Sequence, residues 1–121
     1  MRIRFGQMNP AQAFAMADHF ADPPVVIDEA WHTGKPVYER SFCTMDSDAA
    51  RLTVGLTVLK QAEDSPARIL RLAEYGGQAD TVTLHLGDVT RTIEMKPYEI
   101  KTVQWTDASL TEVTMLETYK E

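Results

Sequence analysis

The groups in this chain that could do acid–base, nucleophilic or metal chemistry are three histidines, one cysteine and eighteen aspartates and glutamates. His19, His32 and His85 all lie more than four residues apart. No Cys-x-x-Cys or His-x-x-x-His accompanies them, so the spacing of a local zinc site is absent. His19 reads as a helix-surface residue, and His85, alternating with threonines, as solvent-facing. Ser41, Ser47, Ser65 and Ser109 sit on no nucleophile elbow, which leaves a Ser-His-Asp triad without a local marker. Cys43, beside Phe42 and near Met45, reads as a semi-buried thiol rather than a reactive one. Gly76-Gly77 has neither the lysine nor the following helix of a phosphate-cradling loop and reads as a turn between strands. Glu63, Asp64, Glu74, Glu94 and Glu99 qualify by type as glycosidase carboxylates. Most of them border turns or alternate with apolar positions, where a solvated carboxylate is ordinary. No catalytic residue, metal ligand or cofactor site is therefore assigned within the chain.

The aromatic residues point elsewhere. Trp31 and His32 open a turn with the glycine and proline of Trp31-His32-Thr33-Gly34-Lys35-Pro36, Tyr75 precedes Gly76-Gly77, and Trp105 ends a strand. Aromatic faces at loops are surfaces on which sugar rings stack, so Trp31, His32, Tyr75 and Trp105 are candidate sugar-binding residues. The ordinary alternative is that Trp31 and Trp105 cap the core.

The elements that must position these residues follow from periodicity. Asn9 is a plausible N-cap, Pro10 fits the first helical position and Gln12 stands three residues after the cap, predicting one short helix over about 10–20 with Phe14, Ala17 and Phe20 on one face. Asp22-Pro23-Pro24 ends it, because each proline lacks a backbone donor and disfavours helix in the residue before it. The period then changes to two. Strands are predicted over Val25–Asp28, Tyr38–Thr44, Arg51–Lys60, Arg68–Glu74, Thr81–Leu86, Arg91–Met95, Glu99–Trp105 and Glu112–Leu116. In the third of these, Leu52, Val54, Leu56 and Val58 share one face. In the fifth, Val82, Leu84 and Leu86 face in while Thr81, Thr83 and His85 face out. Gly87-Asp88 is a two-residue hairpin connection of type II′ or I′. The expected fold is all-β: an antiparallel β-sandwich of about eight strands with one short N-terminal helix.

Composition bounds the rest. A chain of 121 residues with 44% hydrophobic and 25% charged residues makes one globular domain, 1–121. A lone cysteine, no apolar run long enough to span a bilayer and no signal-peptide pattern lead to the expectation of a cytoplasmic protein. The net charge of −6, with bases scattered, argues against a nucleic-acid or anionic-membrane partner.

Three stretches carry a family likeness. Val58 to Gly77 (VLKQAEDSPARILRLAEYGG) resembles the start of the last β-sandwich of α-mannosidases of glycoside hydrolase family 38, in which a lysine-bearing strand runs into an acidic loop and then a strand of the form ilRlyE..G. The matching residues are Lys60, Ala62, Glu63, Asp64, Arg71, Leu72, Glu74 and Gly77. Lys96-Pro97-Tyr98-Glu99-Ile100-Lys101-Thr102 resembles that family's kPfEIkT signature, and Glu112-Val113-Thr114-Met115-Leu116-Glu117 its closing E.n.lE segment. Ala73 stands where an aromatic is usual. The resemblance implies a retaining, metal-dependent parent enzyme whose zinc or other divalent cation and nucleophile belong to a catalytic domain absent from this chain. The chain is then a non-catalytic C-terminal sandwich whose partner is that domain, with Arg71 and Glu74 as candidate interdomain contacts. A bared interface implies homo-oligomers. The alternative is a stand-alone binding module for mannose-type sugars.

Overall fold

The computed structural model describes residues 6–28, 41–47 and 53–118. One helix, α1 (Pro10–Ala21), precedes seven strands among these residues: β1 (Cys43–Ser47), β2 (Val54–Gln61), β3 (Arg68–Glu74), β4 (Asp80–Leu86), β5 (Val89–Met95), β6 (Ile100–Trp105) and β7 (Leu110–Val113). The strands form two antiparallel sheets, one of order β1-β4-β5 and one of order β2-β3-β6-β7. Between them lies one apolar core. Val82, Leu84, Leu86, Ile93 and Met95 come from the first sheet, and Val54, Leu70, Leu72, Val103 and Leu110 from the second. Each fully buried aliphatic side chain contributes about 1.5–3 kcal/mol.

The helix starts as its cap residues predict. Asn9 Oδ1 accepts the Gln12 N–H at 2.8 Å, and Gln12 Oε1 accepts the Asn9 N–H at 3.2 Å. The predicted apolar face is only partly engaged: Phe14 is half-buried, whereas Ala17 and Phe20 are exposed. Phe14 stacks on Tyr75 with ring centroids 4.0 Å apart. Gly55 makes room for this pair, since a Cβ there would stand 2.9 Å from the Tyr75 ring.

Several expectations need correction. Val25–Asp28 is not a strand; Val25, Val26 and Ile27 are more than four-fifths exposed, at 87, 87 and 83%. An apolar run cannot make a strand without a neighbour to satisfy its backbone groups, and these residues have none in either sheet. The turn at Trp31–Pro36 and the residues Tyr38–Arg40 lie outside the described residues; β1 begins at Cys43. In β2 the register shifts between Leu56 and Val58, placing Thr57 as the extra residue of a β-bulge. Its hydroxyl donates to the Arg71 carbonyl at 3.1 Å. Val58 consequently pairs with Arg71 on the outer face, and Leu59 stands opposite the buried Leu70 yet stays 54% exposed on this edge strand. The last predicted strand is displaced: β7 covers Leu110–Val113, and Thr114–Thr118 is a turn closed by the Thr114 N–H to the Thr118 carbonyl at 2.7 Å.

Other expectations hold. β3 has the predicted bounds, Val82, Leu84 and Leu86 are fully buried, and Leu86 pairs with Val89 across Gly87-Asp88. Gly87 has φ +59° and Asp88 is not among the positive-φ residues, as a type II′ turn requires. Cys43 is half-buried against the core, and burial pushes its thiol pKa up, away from the reactive thiolate.

Candidate functional site

At one end of the sandwich, two buried carboxylates gather the loops. Glu74, at the end of β3, is 3% exposed. It accepts backbone N–H groups from Gly76 (2.6 Å), Gly77 (2.8 Å) and Tyr98 (2.9 Å). Its own N–H donates to the Glu99 carbonyl at 2.9 Å. Burial alone pushes its pKa up, but the backbone donors and the Thr53 hydroxyl outweigh it and hold the carboxyl below its ordinary value. Gly77 and Tyr98 both adopt left-handed backbone, φ +71° and +57°, which turns their N–H groups toward this oxygen pair. Asp80, opening β4, is 6% exposed and accepts from Ser47 Oγ (2.7 and 2.9 Å), Thr53 Oγ1 (3.2 Å) and the Thr81 N–H (2.8 Å).

Beside Asp80 runs a cleft between the β5 edge and strands β6 and β7. One part has a volume of about 460 Å³ and is lined by Asp80, Thr81, Glu94, Met95, Lys96 and Lys101. The other, about 230 Å³, shares Glu94 and Lys101 and adds Arg91, Thr92 and Glu112. Lys101 Nζ pairs with Glu99 at 3.9 Å and with Glu112 at 3.6 Å. Sequence reasoning missed this cleft. Its one signal was Lys101 itself, which shares the face of Val103 and Trp105 and so points between the sheets.

A second cluster ties the chain end to the opposite face. Glu117 pairs with Lys60 and accepts the Glu63 N–H at 3.2 Å. The hydrogen bond from Lys60 lowers the Glu117 pKa, and that from Glu117 raises the Lys60 pKa. Arg71 Nη2 donates to the Met115 carbonyl at 3.1 Å, while its buried Nε has no partner among the described residues. Arg71 and Glu74 thus point to opposite faces, as period two requires, and both find partners inside this chain.

Of the sugar-binding candidates, the structure describes Tyr75 and Trp105. Trp31 and His32 lie outside the described residues. Tyr75 has its ring on Phe14, and burial and then Asp18 raise its phenol pKa. Trp105 packs against the core and carries the Arg68 guanidinium 4.6 Å from its ring centroid.

The structure also forms a constellation that spacing did not reveal. On the outer face of the first sheet, His85 Nδ1 hydrogen-bonds Thr90 Oγ1 at 3.2 Å and Nε2 lies 3.1 Å from Asp46 Oδ2. It has the order of a nucleophile, base and acid. However, it lies on an open sheet face with the His85 and Asp46 side chains 42 and 77% exposed, and the flanking backbone donors belong to the β1-β4-β5 ladders. It reads as a cross-strand polar cluster.

Comparison with protein-family models, with curated proteins and with solved structures finds no match.

Proposed function

We propose that this chain is a non-catalytic C-terminal β-sandwich of a metal-dependent, retaining α-mannosidase of glycoside hydrolase family 38, a module that packs on and supports the catalytic domain. One observation carries the reading: the three stretches that resemble the family meet each other in space. Glu74 of the first binds the Tyr98 N–H of the second, and Lys60, Glu63 and Arg71 of the first bind Glu117 and the Met115 carbonyl of the third. Residues committed to internal hydrogen bonds are framework, and a shared framework is what a common module fold needs.

The metal and the nucleophile belong, on this reading, to the catalytic domain. Among the described residues no group of three His, Cys, Asp or Glu side chains is placed to hold a metal ion, and no step is derived through one. No helix among them is long and apolar enough to cross a membrane. A cytoplasmic protein without nucleic-acid partners is part of the proposal and follows from the lone cysteine and the charge of −6. Val25, Val26, Ile27, Tyr98 and Leu116 stand exposed and offer surface that a catalytic domain covers. The isolated chain is therefore expected to self-associate in sedimentation.

The test is complementation in trans. Purified chain supplied with zinc is expected not to hydrolyse an aryl α-mannoside. Added to a family 38 α-mannosidase lacking its last sandwich, it is expected to form a complex and raise that enzyme's activity. Turnover by the chain alone, or no complex, overturns the proposal.

A further inference from the structure

We infer that the outer face of the β2-β3-β6-β7 sheet holds one buried water molecule between Arg71 Nε and Thr102 Oγ1, beneath the terminal turn Thr114–Thr118. The site is independent of the α-mannosidase reading.

Register brings the two atoms together. Val58, Arg71, Thr102 and Val113 are successive partners across β2, β3, β6 and β7, so their side chains form one row on one face of the sheet. It is the face away from the core, because Leu70, Leu72 and Val103, their neighbours along the strands, belong to the core. Thr102 and Val113 are nonetheless only 2% exposed. The terminal turn is what crosses them. Arg71 Nη2 donates to the Met115 carbonyl at 3.1 Å, and Glu117 pairs with Lys60 on β2, at the opposite edge of the sheet from β7. A segment that follows β7 and reaches the side chains of β2 passes over β6 and β3.

Arg71 Nε and Thr102 Oγ1 are buried, and neither has a hydrogen-bond partner among the described residues. Unpaired buried donors and hydroxyls are costly, and native structures nearly always pair them with protein or with water. Side chains directly opposed in an antiparallel pair start from Cβ atoms about 4.5–5.5 Å apart, close enough for one water to reach both. Nε only donates, whereas the hydroxyl donates and accepts; a water therefore accepts from Arg71 and donates to Thr102. Charge selects water over an anion. The Arg71 guanidinium already faces the Met115 carbonyl, and its charge, after the Lys60 hydrogen bond, helps to hold the Glu117 carboxyl pKa below its ordinary value. An anion would meet that carbonyl and carboxylate, and a neutral water does not. Because Nε and Nη2 belong to one planar guanidinium, the water that engages Nε also fixes the group that pins the terminal turn.

The experiment is a crystal structure of the full chain, grown with chloride present and at a resolution that shows ordered solvent, together with urea unfolding and hydrogen exchange of Thr102→Val. One water is expected within about 3.2 Å of both atoms. Valine keeps the shape of threonine but takes a partner from the water. The urea midpoint is therefore expected to fall by about 0.5 M, and exchange at the amides of residues 115–118 to quicken. A hydroxyl with no partner in the wild type gives the opposite sign, since valine then removes an unpaired polar group and raises the midpoint. A midpoint equal to or above wild type, unchanged exchange in the turn, a chloride ion or another side chain in place of the water, or a direct Arg71–Thr102 hydrogen bond each overturn the inference.

Discussion

The Glu74 carboxylate accepts the backbone N–H of Tyr98 at 2.9 Å across 24 positions of sequence. With Gly76 and Gly77 on the same two oxygens, one side chain joins the β3–β4 loop to the turn that precedes β6. Removing it orphans three backbone donors together. Glu74→Ala is expected to cost about 3 kcal/mol or more in urea unfolding, and Glu74→Gln, which keeps one acceptor oxygen, clearly less. An alanine variant as stable as wild type would show that the loops close without it.

The same group sets an acid limit. Its folded pKa is lowered, so the unfolded state binds its proton first as pH falls. The stabilisation is fully present above the unfolded carboxyl value of about 4.3 and is lost as pH drops through the folded value. Glu117 shifts in the same direction through Lys60 and adds to the same window. Lys60 shifts upward, so its contribution is present below about 10.4 and is lost as pH rises through its folded value. Stability measured from neutral pH into acid is expected to fall less steeply in Glu74→Gln and in Glu117→Gln than in wild type. Unchanged slopes in both would count against these shifts.

Gly77 and Gly87 separate backbone strain from collision. Both have positive φ, +71° and +59°, so alanine at either costs about 1–2 kcal/mol. A Cβ on Gly77 also strikes the Tyr98 hydroxyl, whereas one on Gly87 meets nothing within 4 Å. Thermal unfolding is expected to show Gly77→Ala as the more damaging substitution, and Gly77→Ala combined with Tyr98→Phe should recover part of the difference. Equal losses at the two glycines would mean that the hydroxyl moves aside freely.

Glu117 latches the terminal turn across 54 positions of sequence to the Glu63 N–H. In Glu117→Gln, hydrogen exchange is expected to quicken at Glu63 and at residues 114–118 while the buried β3 and β4 amides stay protected. Added salt should have the same effect on wild type, because part of the latch is the partly exposed Lys60–Glu117 pair. Exchange at Glu63 indifferent to both changes would leave the latch without a role.

What was legible in the chain was local. The Asn9–Gln12 cap, the bounds of β3, the inward Val82, Leu84 and Leu86 and the Gly87-Asp88 hairpin each depend on residues a few positions apart. The strand reading of Val25–Asp28 misled, because a strand is made by its neighbour and not by its own pattern. The Thr57 bulge misled in the same way: nothing in Arg51–Lys60 marks the residue at which pairing with β3 slips, and one slip reversed the faces of Val58 and Leu59.

By itself, then, the sequence determined the all-β class, one capped helix and most strand positions, since caps, turns and period two are short-range chemistry. The tertiary structure alone decided that Glu74 and Asp80 are buried framework, that Tyr75 and Trp105 are covered by Phe14 and Arg68, and that Lys101 faces a cleft. Those outcomes depend on partners such as Tyr98 and Ser47, 24 and 33 positions away, whose register is set only when both sheets close over one core.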